Sequence, residues 1–472
     1  MSVEYDAVVV GAGPNGLTAG VLLARAGRSV LVVEGADTIG GGTRTEELTL
    51  PGFHHDVCSA VHPFGATSPV LRTLPLEEHG LRWVHPDIPL AHGIDPSRIS
   101  VLPRDLDEAT EILGRNYAAR IGPMVEHWAG IEQHLLGPIP RLPRHPLALA
   151  RFGLEAIRPA TTTARALGPI VGPLFAGCAA HAFLPLDRPL TASFGWVLMA
   201  SAHVHGWPFA AGGSRAITDS LASLLRSLGG EIRTGTMVHD LDELPPSKLT
   251  FLDVTPSGFA NMAGARLPSD YLTRAERFRH GPAAYKIDYA LSAPMPWRSP
   301  ELARAGTIHL SGTAEEVASA ERAAFEGRRH PRPFILVVQQ SMFDETRAPE
   351  GAQTLWVYAH VPHASTGDHS EQIETRLEEF APGFADVVLE RHVMSPAAFE
   401  SYNPNFVGGD IAGGAHTIDQ LVFRPFPQTN PYATPIDGVY LCSASTPPGA
   451  GAHGMCGYHA VRSAIGDDVD TG

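Results

Sequence analysis

The chain has 472 residues, 44% hydrophobic and 18% charged, which is enough for two or three lobes around sizeable cores. Its formal net charge of −15 argues against non-specific, charge-driven binding to nucleic acid or to anionic lipid. The four cysteines, Cys58, Cys178, Cys442 and Cys456, form no C-x-x-C pair, which excludes a zinc ribbon and suits free thiols in a reducing cytosol.

The N-terminus runs directly into a strand, so a cytoplasmic chain without a signal peptide is expected. Ala7 to Val10 is a short apolar run of the kind a buried parallel strand needs. Gly11-Ala12-Gly13-Pro14-Asn15-Gly16 follows, then an Ala/Leu-rich helical pattern to Ala26, stopped by Gly27. Ser29 to Val33 is a second apolar strand that ends at Glu34. This is a βαβ unit with a dinucleotide fingerprint in its first turn. Gly11 permits the tight turn, Gly13 lets backbone approach a pyrophosphate, and Gly16 lets helix and strand pack closely. The helix N-terminus presents unpaired N–H groups to phosphate oxygens. Glu34 lies 21 positions after Gly13, where its carboxylate can accept from both ribose hydroxyls.

Gly40-Gly41-Gly42-Thr43-Arg44 is a second glycine run that lets the chain pass close to a bound cofactor, with Arg44 able to meet a phosphate. Leu50 to Asp56 reads as a turn into an edge strand. Asp105 to Leu136 is helical in pattern, and Leu142 to Ala166 is a second helical region interrupted by prolines. Leu167 to Leu186 is apolar except for His181, but its prolines and glycines would break a lipid-exposed span. It is expected to line a buried apolar cavity, with shallow peripheral contact with a membrane surface as the minor alternative. Gly212-Gly213-Ser214 opens a helix to Leu228, followed by strands at Glu231 to Val238 and Leu249 to Val254 that return to the first sheet.

Ala284 to Leu291 alternates with period two, and Phe334 to Gln339 and Thr354 to Val361 are β-rich. Together they predict an antiparallel sheet with one covered face. Glu371 to Phe380 is an amphipathic helix. The C-terminal part repeats strand, Gly-rich loop and helix, from Asp437 through Gly449-Ala450-Gly451-Ala452-His453-Gly454 to Ala460. No acidic residue follows at ribose distance, so this is not a second dinucleotide site.

Gly11 to Gly16, Glu34, Gly40 to Arg44 and Gly449 to Ala460 together resemble the phytoene desaturase-like branch of the FAD-dependent amine oxidase superfamily. Pro51-Gly52-Phe53 with Asp56, Gly408-Gly409-Asp410, Asp419-Gln420-Leu421 and the strand ending Leu441-Cys442 extend the likeness over nearly the whole chain. The resemblance implies a Rossmann-like α/β FAD-binding domain of the p-hydroxybenzoate-hydroxylase type and a second α+β substrate domain with an antiparallel sheet. It also implies a non-covalent FAD and a lipophilic, isoprenoid- or polyene-like substrate. Residues 1–70, 205–260 and 401–472 are then assigned to the FAD domain, 71–204 to a helical cavity region, and 261–400 to the substrate domain. The cofactor-binding set is Gly11, Ala12, Gly13, Pro14, Asn15, Gly16, Glu34, Gly41, Gly42, Thr43, Arg44, Val238, Gly449, Gly451, Ala452, His453 and Gly454. Two departures stand out: Ala450 replaces a loop glycine, and little remains of a meander between Val238 and Leu249.

Carbon–carbon desaturation needs a base or a stabilised cation besides the flavin. His453, Lys286 and Asp288 are candidates, in that order of expected nearness to the ring. The structural reading is the stronger for each: His453 as a hydrogen-bonding loop residue, and Lys286 with Asp288 as a cross-sheet polar pair on one strand face. Three functions stay open: a flavin-dependent dehydrogenase, desaturase or saturase; a flavin amine oxidase; and a non-catalytic FAD-bound scaffold.

Overall fold

The computed structural model describes residues 4–139, 142–143 and 145–466; the ends of the first and last assigned segments lie outside these. Five parallel strands form one sheet in the order Val439–Leu441, Ser247–Leu252, Tyr5–Val10, Val30–Val33, Glu231–Arg233. Ala7 to Val10 faces Val30 to Val33 in register, and every one of these side chains is buried, as a sheet covered on both sides requires. The helix Pro14–Arg25 packs on one face, beside Arg215–Ser227 and the C-terminal helix Met455–Ile465. This is the Rossmann-like α/β domain expected from the first βαβ unit. The strand from Glu231 is shorter than its apolar pattern suggests and ends at Arg233. Gly235, at φ +63, turns the chain away, and Val238 sits in the following loop.

A seven-stranded sheet forms the second lobe, in the order Val388–Met394, Ala283–Leu291, Gln353–Val361, Ile335–Val338, Ala305–His309, Ile88–Asp95, Arg98–Leu102. All neighbours are antiparallel except Ala305–His309 and Ile88–Asp95. Two findings differ from the sequence reading. The strands Ile88–Asp95 and Arg98–Leu102 fall within 71–204, where only helices and a cavity were expected; Pro89, His92, Gly93 and Asp95 interrupt the apolar run that would have marked the first of them. The sheet is also covered on both faces. All nine residues of Ala283–Leu291 are buried. Ile287, Val337 and Val357 pack with Ile373, Leu377 and Phe380 of the helix Ser370–Phe380 on one side. Helices Ala160–Ala180 and Ala314–Phe325 lie toward the other.

Candidate functional site

The first turn is shaped by what a side chain would strike. A Cβ on Gly16 would lie 2.0 Å from the Gly11 carbonyl oxygen, so helix and turn touch backbone to backbone. Gly11 itself has φ +102. Gly13 N-caps the helix, and a Cβ on Gly41 would lie 3.0 Å from the Gly13 Cα. The two glycine runs thus meet and leave a groove above the helix N-terminus. Gly11, Gly13, Pro14, Asn15, Glu34, Gly41, Gly42, Thr43, Arg44 and Val238 line one cavity of about 1100 Å³. Ala12 does not line it; its N–H donates to Glu34 Oε2 at 2.8 Å and fixes the carboxylate. Glu34 Oε1 accepts from Ala36 N at 3.0 Å and from Arg44 at 3.4 Å. The Arg44 guanidinium, over the Tyr402 ring at 5.1 Å, is thereby held at the groove.

The closing loop reaches the same cavity through Ala450, Gly451, Ala452 and His453. Gly449 and Gly451 have φ +110 and +143, which L side chains rarely adopt; Ala450 between them does not have positive φ. The departure from an all-glycine loop therefore falls where the backbone tolerates it. Gly449 and Gly454 stand behind the cavity wall. A Cβ on Gly454 would meet Thr18 Oγ1 at 2.3 Å, and one on Gly457 would meet Asn15 O at 2.1 Å. These contacts bring the N-termini of Pro14–Arg25 and Met455–Ile465 side by side.

His453 is buried, and its Nδ1 accepts from Met455 N at 3.1 Å. The ring proton therefore resides on Nε2, and the one basic lone pair is committed to the helix. Burial, with His459 nearby, pulls its pKa down to about 4. The structure favours the hydrogen-bonding reading of His453 over the base.

Beyond the groove the cavity opens into an apolar chamber. The sequence assigned its wall to Leu167–Leu186, but of that stretch only His181 and Phe183 line it. The residues before them pack as solid core: Leu174, Phe175 and Ala179 are fully buried. The wall comes instead from Leu190, Phe194, Val197 and Leu198, from Leu149 and Phe152, and from Trp356 and Tyr358. An apolar run states burial, not which neighbour it is buried against.

One face of the large sheet turns polar beneath the chamber. Lys286, Tyr358, Leu336, His309 and His92 are register partners across five strands and share a face. Lys286 contacts Asp288 directly, and both are completely buried. Burial comes first in each shift: it lowers the lysine pKa and raises Asp288 to about 6. Neither residue lines the cavity, so the pair is placed as internal structure. Next to it, Asp56 accepts from Arg347 at 2.9 Å, Ser214 N at 2.7 Å and Thr45 at 2.8 Å. These partners outweigh its burial and hold its pKa below the ordinary value.

The sequence reading missed a second group here. His360 Nδ1 lies 2.7 Å from Glu321 Oε1, and its Nε2 lies 3.2 Å from the Tyr358 hydroxyl. His360 is stacked against Phe183, with ring centroids 4.0 Å apart. Burial alone raises Glu321 well above the usual carboxylate range and lowers His360 to about 3, which pushes each toward its neutral form. Tyr358 lines the chamber. The only signal in the sequence was Trp356, Tyr358 and His360 at i, i+2 and i+4 of one strand. His181, also on the wall, meets His309 with Nε2 atoms 3.4 Å apart.

A family model described as an NAD(P)-binding Rossmann-like domain matches residues 9–74. The chain is 27% identical to pyridine nucleotide-disulfide oxidoreductase domain-containing protein 2 of Rattus norvegicus, over 98% of this chain and 94% of that one. It is 24% identical to the neurosporene-forming phytoene desaturase of Rhodobacter capsulatus, over 53% of this chain and 52% of that one. Among solved structures, cyclohexylamine oxidase of Brevibacterium oxydans superposes with a TM-score of 0.61 at 15% identity, over 99% of each chain. By these relatives the chain stands with oxidoreductases, and the solved structures share its fold. Among the described residues no helix is long and apolar enough to cross a membrane.

Proposed function

We propose that this protein is an FAD-dependent dehydrogenase, desaturase or saturase acting on carbon–carbon bonds of a lipophilic, isoprenoid- or polyene-like substrate, with the FAD held non-covalently. One observation carries the reading: the dinucleotide groove and the apolar chamber are a single cavity, so a bound ring and a greasy chain would share one space. At about 1100 Å³ it lies at or above the upper end of ordinary ligand sites, roughly 300–1,000 Å³, which leaves room for a dinucleotide and a second ligand.

The residues present fit such a cofactor. A Cβ on Gly13 would stand 3.3 Å from Asp253 Oδ2 and 3.8 Å from the Gly41 Cα, in the space a pyrophosphate would need. Glu34, held by the Ala12 N–H, suits the ribose, and the two adjacent helix N-termini offer N–H groups to phosphate oxygens. When bound, a flavin supplies a hydride acceptor at N5.

The chain must then handle one proton, and Glu321, His360 and Tyr358 form the path we assign to it. In the proton-donating direction the Tyr358 O–H passes its proton to substrate carbon, His360 Nε2–H re-protonates the phenol, and Glu321 re-protonates Nδ1. The reverse order takes a proton from substrate once Glu321 is ionised. Charge never rests on the tyrosine, which matters because burial raises the Tyr358 pKa well above the ordinary phenol. A small amine cation would have to be buried against Phe152, Leu190, Phe194, Val197 and Leu198, a desolvation cost that disfavours an amine substrate.

The test is anaerobic mixing of the holoprotein with separate panels of polyenes, acyl lipids and primary amines, following flavin bleaching. Bleaching by polyenes or acyl lipids is expected. Bleaching by amines alone would overturn the assignment.

A further inference from the structure

The segment from Asp410 to His416 is fixed by two buried charges. The Asp410 carboxylate accepts from Ala412 N at 2.8 Å, Gly414 N at 2.9 Å and Gly281 N at 3.0 Å. The Arg424 guanidinium donates to the carbonyls of Ala412, Gly413 and Gly414 at 3.2, 2.7 and 2.9 Å. An anion thus holds N–H groups of this loop and a cation holds its carbonyls, and neither charged side chain lines the cavity. The loop presents Ile411, the small Ala412 and Gly413, and the imidazole of His416. Its place is the junction of groove and chamber. A Cβ on Gly413 would lie 2.8 Å from the Ala444 Cβ, in the chain that leads into the closing loop. The His416 ring packs on Phe194 of the chamber wall, with centroids 5.1 Å apart.

His416 Nδ1 lies 3.1 Å from the Ala182 carbonyl oxygen. A carbonyl only accepts, so Nδ1 carries the ring proton and Nε2 the lone pair. Burial, with Arg424 nearby, holds the pKa down to about 4, which leaves the ring neutral near pH 7. Nε2 has no hydrogen-bond partner among the described residues and is not sealed in the interior, so it is open to the cavity its ring lines. His181 and Tyr358, elsewhere on the wall, are already joined to His309 and His360.

We propose that His416 Nε2 recognises a hydroxyl group, and that the lipophilic substrate is an alcohol, not a plain hydrocarbon. The inference rests on the lipophilic substrate proposed above and narrows it. A hydrocarbon filling the chamber would strip water from Nε2 and leave an acceptor unpaired, which opposes binding. An O–H at that point restores the bond. A ketone, aldehyde or ether brings only lone pairs to a lone pair, and a carboxylate adds a full charge. An ammonium has donors, but it would exchange its hydration for one neutral nitrogen beside Phe194. The two buried charges that clamp the loop keep the acceptor in place before any ligand arrives.

The experiment is equilibrium binding to the full-length holoprotein, read from the perturbation of flavin absorbance. The probes are isoprenoid alcohols, hydrocarbons of matched chain length, and the methyl ethers of the same alcohols. The alcohols are expected to bind about tenfold or more tighter than either other series. His416→Asn keeps a side-chain N–H for the Ala182 carbonyl and removes the distal acceptor. It should reduce the preference to about twofold or less, with FAD affinity and unfolding midpoint unchanged. His416→Gln, which returns an acceptor near the Nε2 position, should keep most of the preference. Equal binding of the three series by the wild type, whatever the stability of the variants, would overturn the inference and leave the proposed function standing. An alcohol preference that survives in His416→Asn while FAD affinity falls would also overturn it, by assigning Nε2 to an N–H of the cofactor. Binding of none of the three series would overturn the proposed function and this inference with it.

Discussion

Replacing Asp253 by asparagine tests the groove most directly. Asp253 follows the strand Ser247–Leu252 and lies against the first turn: a Cβ on Gly11 would be 2.9 Å from its Cβ. Its Oδ2 accepts from Gly16 N at 3.3 Å, so a carboxyl already occupies the helix N-terminus that a pyrophosphate would approach. Burial raises its pKa to about 7, with Glu34 adding to the rise and the Gly16 N–H opposing it. The unfolded chain releases this proton near the ordinary value of 3.8. A raised acid contributes no penalty below about pH 4. The penalty grows as pH rises toward 7 and is constant above it. The difference of about three units, at about 1.4 kcal/mol each, makes the ionised carboxyl cost up to about 4 kcal/mol at pH 8. The value is an upper bound, because cavity water reaches this residue. Asparagine keeps the acceptor for Gly16 and removes the charge. Asp253→Asn is therefore expected to stabilise the apoprotein by up to about 4 kcal/mol near pH 8 and by only about 1–2 kcal/mol near pH 5. Urea unfolding at the two pH values measures both. The same linkage predicts that wild-type FAD affinity falls as pH rises above about 7, toward tenfold per unit, while the variant binds with little pH dependence. Parallel pH profiles for the two proteins, in stability and in FAD titration, would refute the reasoning.

Glu34→Ala is expected to weaken FAD binding by about 1.5–3 kcal/mol for each ribose hydrogen bond lost, measured by titration of apoprotein. Gly451→Leu should yield soluble, FAD-poor protein, because φ +143 is strained for leucine and its Cβ would lie 2.7 Å from the His453 ring; full absorbance of bound flavin would contradict this. Arg347→Ala should destabilise the fold by about 3–5 kcal/mol in chemical denaturation, since it leaves the Asp56 carboxylate buried without its cation. Tyr358→Phe should slow flavin reduction by a substrate about 10²–10⁴-fold with unchanged FAD content, whereas His453→Ala should change that rate less than tenfold.

The parts legible in the sequence were those where local spacing dictates geometry. Gly11, Gly13, Gly16 and Glu34 are set by the turn, the helix and the strand they join, all within one short unit; Gly11, Gly13 and Glu34 line one groove, and Gly16 packs behind it against Gly11. The strands Tyr5–Val10 and Val30–Val33 were legible because burial on both faces leaves unbroken apolar runs at Ala7 to Val10 and Val30 to Val33. The second sheet was harder. Period-two alternation in Ala283–Leu291 looks the same whether Lys286 and Asp288 meet water or each other; only residues far away in sequence, His55 at 3.7 Å from Asp288 and Trp356 beside Lys286 among them, close over the pair. Glu321 was illegible for the same reason. It sits in a helix that otherwise reads as amphipathic, and its partner His360 is 39 positions away.

That distinction bears on where acid–base chemistry can reside. Along the closing loop the backbone must run close to the groove, and the loop spends its side-chain polarity on its own turns: His453 caps Met455, and Cys456 Sγ reaches the Gly449 and Thr446 carbonyls. A residue so committed cannot exchange a proton without loosening the loop that shapes the groove. The sheet beneath the chamber has no such constraint. Its backbone is satisfied by its neighbours, so its side chains are free to bond one another, and a strand offers them at alternate positions pointing the same way. Tyr358 and His360 use this directly, and Glu321 reaches them from a separate helix. Burying a neutral carboxyl against one imidazole stabilises the fold less than an apolar residue of the same size would. On the proposed function, its placement behind a phenol that lines the chamber is accounted for by the proton it would deliver there.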